Sequence, residues 1–337
     1  MLEAMTDPIL ALRGRSHHHP RGGFRNPWPA SEPHGITDLL KWTLSRQRSR
    51  PTEESSEPMK ALDRVLESPG DGLSITWIGH STFLIQSEGM TILTDPIWSD
   101  RASPVQFAGP RRHRPPGLTF DSLASIDAIF ISHDHYDHLD AGTIDRLIDR
   151  FPHAKWLTPV GVGHFLRKRG AIDISEKDWW QSENVGRFSA FCTPAMHFSG
   201  RYPWNRNSTL WAGWVIEIGS HCVFFAGDTG LHPEFAEIAR RFGPFDAAIL
   251  PIGAYEPRWF MRTVHMNPED AVSAYLQIVT ADDSGACVFI PSHWGTFRLT
   301  DEPLDEPPRR LSNAWLESTL PEDRLWLLRH GETKALG

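Results

Sequence analysis

Ile131-Ser132-His133-Asp134-His135-Tyr136-Asp137-His138-Leu139-Asp140 is the stretch from which the fold can be read. It follows Asp127-Ala128-Ile129-Phe130-Ile131, a short apolar run, β-branched and aromatic, which reads as a buried strand. Ligand-type side chains therefore stand where a strand ends. Side chains two apart on extended backbone point the same way, so His133 and His135 can grip one ion. Asp137 and His138 come after the chain has turned and face a second ion beside the first. Imidazoles with a carboxylate suit zinc, which keeps an open position when it is catalytic. The spacing fits a two-metal centre better than one structural ion. The competing reading is a solvated histidine-rich turn. Four ligand-type residues in six positions, directly behind a buried strand, weigh against it.

Outward from this stretch, 337 residues suffice for one large domain or two modest ones. A hydrophobic share of 40% and a charged share of 23% are ordinary globular values, so a core can be buried. A formal charge of −8 argues against a general nucleic-acid binder, which needs a basic surface. Cys192, Cys222 and Cys287 form no CxxC pair and no disulfide framework, which points to a reducing compartment. No apolar run approaches the roughly 18 residues that span a bilayer. Pro8 to Leu12 is too short for a secretory signal. The expected location is cytoplasmic, with at most peripheral membrane contact.

Residues 1–70 lack a clear period and are rich in Pro, Gly, Ser and Arg, as in an arm wrapped over a domain or partly irregular. Between Arg13 and Arg50, the basic residues Arg13, Arg15, Arg21, Arg25, Lys41, Arg46, Arg48 and Arg50 face only Glu32 and Asp38. That excess favours an anionic surface; a solvated arm with scattered charge is the competing reading. His17-His18-His19 is followed by the native-looking Gly22-Gly23-Phe24-Arg25-Asn26-Pro27-Trp28-Pro29.

From residue 71 the texture is that of one domain running to 337. Leu73 to Ile78, Thr82 to Gln86 and Met90 to Thr94 read as strands, the last delivering Asp95 before Pro96. The cluster Arg111-Arg112-His113-Arg114 is either a phosphate holder or an exposed basic loop. Asp140 caps a helix with Ile144, Leu147, Ile148 and Phe151 on one face. Strands over Gly186 to Thr193, Cys222 to Phe225 and Ala286 to Ile290 lead to His197, Asp228 and His293. Asn267-Pro268-Glu269-Asp270 starts a helix whose buried stripe is expected at Val272, Tyr275, Leu276 and Val279. Strands alternating with amphipathic helices predict an α/β architecture of two sheets with helices outside.

Seven ligand-type residues on four strand ends resemble the metallo-β-lactamase superfamily, an αββα sandwich with metals at the sheet edges. Gly79-His80-Ser81-Thr82, Thr94-Asp95-Pro96, Arg101-Ala102-Ser103-Pro104, Phe224 to Gly230, Pro251 to Met261, His293 to Phe297 and Arg329 to Glu332 narrow this. They resemble the N-acylphosphatidylethanolamine-hydrolysing phospholipase D family. The resemblance implies a dinuclear zinc centre: His133, His135 and His197 on one ion, Asp137, His138 and His293 on the other, Asp228 bridging. It implies hydrolysis of a glycerophospholipid diester to phosphatidic acid and an alcohol, with Asp137 and Asp228 orienting the attacking oxygen. It places His265 and Tyr136 at the substrate, and implies membrane-surface work and a homodimer. Asp95 reads as an acceptor fixing a ligand histidine's tautomer, with His80 beside it. Phe198, after His197, departs from the tryptophan of better-known members and leaves the acyl preference open. Two rivals stand: an ester, lactone or other phosphodiester hydrolase using the same metals, and a non-catalytic, metal-stabilised binding protein at a membrane surface.

Overall fold

Consecutive apolar residues along the central strands face opposite sides, one into a core between the sheets and the next into a core under the outer helices, and this alternation builds the layers. A computed structural model describes residues 17–18, 22–28, 34–45, 72–202, 204–282 and 287–336. The first sheet has the order β13-β1-β2-β3-β4-β5-β6. Its strands are β1 (Leu73–Gly79), β2 (Thr82–Ser87), β3 (Met90–Thr94), β4 (Ala128–Phe130), β5 (Lys155–Pro159), β6 (Ile174–Lys177) and β13 (Thr333–Leu336). The second has the order β12-β11-β10-β9-β8-β7. It comprises β7 (Ser182–Asn184), β8 (Phe188–Thr193), β9 (Gly213–Ile218), β10 (His221–Phe225), β11 (Ala247–Pro251) and β12 (Val288–Ser292).

Trp77, Phe83, Ile85 and Phe130 of the first sheet meet Trp214, Ile216, Val223 and Phe225 of the second in the inter-sheet core. Their strand neighbours point outward. Leu84, Leu93 and Ile129 pack under α2 (Ala141–Arg150) and α3 (Gly163–Arg167). Val215, Phe224 and Phe289 pack under α4 (Phe235–Phe242), α6 (Pro268–Asp282) and α7 (Glu306–Glu317). This is the expected αββα sandwich, because strands buried on both faces need a helix layer on each side.

Both anticipated helix starts form. Asp140 accepts from Thr143 N, and Asn267 accepts from Asp270 N at 2.8 Å while Asp270 Oδ2 faces Asn267 N at 3.4 Å, a reciprocal cap. The stripe of α6 needs correction: Leu276 is exposed, and the buried face runs through Ala271, Ala274, Tyr275 and Ile278. At 100° per residue Leu276 falls on the far side of that face. Arg112 is not open to a phosphate. Arg112 donates to Ile97 O and Ser99 O over the Phe297 ring, and Arg114 donates to Gly295 O.

Within the arm, Ile36–Ser45 forms α1, an element the sequence period did not reveal. Arg13, Arg15, Arg21, His19, Arg46, Arg48 and Arg50 lie outside the described residues.

Strand direction positions the site. β1, β3 and β4 share one polarity in the first sheet, and β8, β10, β11 and β12 share one in the second. His80, Asp95, the 133–138 loop, His197, Asp228 and His293 each follow the C-terminal end of one of these strands.

Candidate metal centre

The loop after β4 holds its side chains inward because its backbone is tied from below. Arg201 donates to Asp134 O at 2.9 Å and Leu139 O at 2.7 Å, and its guanidinium stacks over Tyr136. Gly200 N donates to Asp134 Oδ1 at 2.7 Å. Gly227, at φ 62, brings the backbone before Asp228 against Ser132: a Cβ there would stand 2.6 Å from the Ser132 Cβ.

His133 Nε2 and His197 Nε2 lie 2.7 and 3.2 Å from His135 Nδ1, so three ring nitrogens converge. Beside them, Asp228 Oδ2 lies 3.1 Å from His138 Nε2, 3.0 Å from His293 Nε2 and 3.8 Å from His197 Nε2. Asp137 Oδ2 lies 3.3 Å from His138 Nε2 and 3.4 Å from His293 Nε2. All seven expected ligands thus gather at one place. The outward nitrogens of three rings are fixed by other partners: His133 Nδ1 by Ser132 Oγ, His138 Nδ1 by Asp95 Oδ2 at 2.7 Å, and His197 Nδ1 by Val264 O at 2.9 Å. Asp95 occupies the expected position, also accepting from Ser132 N and Oγ. His80 Nε2 reaches Asp137 Oδ2 at 2.9 Å.

These residues fit a divalent cation. His138 Nε2, His293 Nε2 and Asp228 Oδ1 are buried without a hydrogen-bond partner of good geometry, which is costly unless another group meets them. Nitrogen donors with carboxylates are the set zinc-type ions take. The electrostatics agree. Burial drives His133 well down, His135 to about 3 and His197 to about 4, so these imidazoles are neutral donors at pH 7. Burial opposes ionisation of Asp137 and Asp228, but His138 above all holds both carboxyls well below the usual range. Burial also opposes charge on His293, yet the Asp228 and Asp137 carboxylates raise it to about 9, and His138 is raised likewise. A cation entering there displaces those protons.

Strain concentrates at the same place. Among the described residues with positive φ other than glycine, His80 (55°), Asp95 (32°) and His293 (62°) border the centre and Ala254 (61°) lines its cavity.

A cavity of about 280 Å³ opens onto Asp137, Asp228, His265 and His293. Trp42, Phe198, Phe260, Met261, Val264 and Leu299 make its walls apolar, with His34, Arg206 and Thr300 as polar points. His265 is therefore at the cavity, its Nδ1 4.0 Å from Asp228 Oδ2. Tyr136 is not among the lining residues; its hydroxyl donates to Arg201 O.

The Beta-lactamase superfamily domain model matches residues 90–294. The chain belongs to that superfamily. This hydrolase is 42% identical over 91% of its length to a Mycobacterium tuberculosis protein, Rv0906, covering 82% of that relative. It is 37% identical over 82% of its length to N-acyl-phosphatidylethanolamine-hydrolyzing phospholipase D 1 of Caenorhabditis elegans, covering 81% of it. The metallo-beta-lactamase fold protein YhfI from Bacillus subtilis superposes with a TM-score of 0.54 at 17% identity, over 79% of this chain and 99% of that one, and shares the fold. The enzyme is a metal-dependent hydrolase, which sets aside the non-catalytic binding protein. Among the described residues, no helix is long and apolar enough to cross a membrane.

The sequence placed Arg201 at the border of the pocket but not as the tie of the ligand loop, and it missed Arg206 and the contribution of Trp42 and His34 from the arm. An isolated arginine in a polar loop carries no pattern, and α1 is too short for its period to stand out.

Proposed function

We propose that this enzyme is a phospholipase D-type phosphodiesterase acting on N-acylphosphatidylethanolamine or a related glycerophospholipid. The products are phosphatidic acid and the N-acylethanolamine or alcohol. The observation that carries the reading is an apolar cavity whose floor is the His/Asp cluster, in a chain 37% identical to a relative named for that hydrolysis.

His133, His135 and His197 would hold one zinc ion and Asp137, His138 and His293 a second, with Asp228 between them. Two such ions would polarise a phosphoryl oxygen and bring the pKa of water toward neutrality. Asp137, kept ionised and held by His80, orients the incoming water and accepts its proton. Water oxygen bonds to phosphorus, the bond from phosphorus to the alcohol oxygen breaks, and the proton taken up by Asp137 passes to the leaving alcohol oxygen. Asp228 fixes His138 and His293, and Asp95 fixes His138 from behind. His265, pushed well below its usual range by burial, is a neutral imidazole facing the leaving group. Tyr136, outside the cavity lining and donating its hydroxyl to Arg201 O, is assigned to holding the ligand loop and not to the headgroup. The apolar walls take an acyl chain, and Arg206 offers charge to a phosphate. α1, which supplies Trp42 to the wall, exposes Leu40 and Leu44, supporting peripheral contact with a lipid surface.

The test is product analysis by mass spectrometry over a panel of phospholipids, simple esters and lactones, with metal counted before and after chelation. Phosphatidic acid released only by metal-loaded protein supports the reading. Turnover of lactones or esters with intact phospholipid would refute it.

A further inference from the structure

Away from this centre, the described start of the arm meets the fold where the two sheets join. Asp178 sits there, in the turn from β6 to β7. His17 Nε2 lies 2.5 Å from its Oδ1 and His18 Nε2 lies 2.6 Å from its Oδ2. The three donor groups lie within 4.8 Å of one another. Adjacent side chains on extended backbone point to opposite sides. Here both reach one carboxylate because the chain bends at His17 and returns through Gly22 and Gly23, at φ 89 and 80, to pair His18 with Phe24.

The return is docked on the domain. Phe24 N donates to Asn207 O at 2.8 Å and Arg25 N to His17 O at 2.7 Å. A Cβ at Gly23 would stand 2.5 Å from Asn207 O, so only glycine allows this approach. The His17 ring lies on Trp179 at 4.3 Å between centroids, and the His18 ring lies 5.0 Å from Phe24. Aromatic packing thus orients both imidazoles independently of the carboxylate they face.

We propose that His17, His18 and Asp178 form a further metal site, separate from the hydrolytic centre, which takes one divalent transition ion of the zinc type. Two imidazole nitrogens and a carboxylate oxygen are a donor set such ions prefer to that of magnesium or calcium. Three protein donors leave the remaining coordination to water, consistent with the half-exposed His18 ring. No residue is shared with the hydrolytic centre. The ion cross-links the arm to the turn between the sheets and so governs how firmly residues 17–18 and 22–28 are held.

Full-length protein dialysed against buffered free Zn²⁺, with bound zinc counted by emission spectrometry, tests this. Wild-type protein holds one equivalent more than His18→Ala and one more than Asp178→Asn, while all three hydrolyse phosphodiester equally at saturating zinc. Hydrogen exchange over residues 17–28 slows with zinc in the wild type and not in the variants. Equal zinc counts in all three proteins would overturn the site. So would loss of the equivalent in His18→Ala with full retention in Asp178→Asn, which would mark adventitious binding by the histidine run alone. His18 is half exposed, so its replacement keeps the test valid even if Asp178→Asn perturbs the turn.

Discussion

Replacing Asp95 by asparagine removes one oxygen acceptor at the base of the centre and tests how that carboxylate acts. Asp95 Oδ1 accepts from Ser132 N at 2.7 Å, and Oδ2 accepts from Ser132 Oγ at 2.6 Å and faces His138 Nδ1 at 2.7 Å. The backbone there, at φ 32, is one asparagine tolerates. With the amide oxygen kept on Ser132 N, the amide nitrogen faces His138 Nδ1. Two donors would then oppose each other unless His138 gives up its Nδ1 proton, keeps the one on Nε2 and accepts through Nδ1. That tautomer satisfies the buried amide but blocks the nitrogen directed at Asp137 and Asp228. The stability of the metal-free protein should therefore fall by less than the about 1–3 kcal/mol of an orphaned buried donor. Cation affinity should fall about 10–100-fold, the usual effect of losing a histidine's orienting partner, or about 1.4–2.8 kcal/mol. Competition with a chromophoric chelator measures the affinity, and urea denaturation of chelated protein measures the stability. Unchanged affinity, or a stability loss in metal-free protein as large as the affinity loss, would refute the tautomer argument.

Arg201→Ala leaves the buried carbonyls of Asp134 and Leu139 without their donor, at about 1–3 kcal/mol each. Thermal unfolding should show that cost, and cation affinity should drop with it because the 133–138 loop loses its tie. Gly253→Ala would put a Cβ 2.0 Å from His293 O, so β12 must shift and carry His293 away from Asp228. Weaker metal binding with secondary structure intact by circular dichroism is expected. Cys192, Cys222 and Cys287 are buried and in no disulfide, and burial pushes the Cys192 and Cys222 thiols up. A thiol reagent should label none of them in native protein and all three after denaturation.

Much of this was legible because the ligands follow strand ends, and strand ends are marked by a change from apolar alternation to Gly, Pro and polar residues. Thr94-Asp95-Pro96 and Ala226-Gly227-Asp228 show this directly. Leu276 was misplaced because a hydrophobic residue at helical spacing carries no label for which side of the helix meets the sheet. The edge strands β6, β7 and β13 were unreadable for a related reason. Their half-exposed positions hold no apolar run, and β13 takes its pairing from β1 at the other end of the domain.

By itself the sequence determined the donor residues, the strand that precedes each of them, and the two-sheet architecture, since period and burial are local properties of the chain. Only the tertiary structure decided that Asp228 Oδ2 lies among His138, His293 and His197, that Arg201 ties the ligand loop, and that His17 and His18 share one carboxylate. Those contacts join residues from 31 (His197 to Asp228) to 161 (His17 to Asp178) positions apart, and no local pattern encodes them, because they exist only once both sheets have packed and aligned their strand ends.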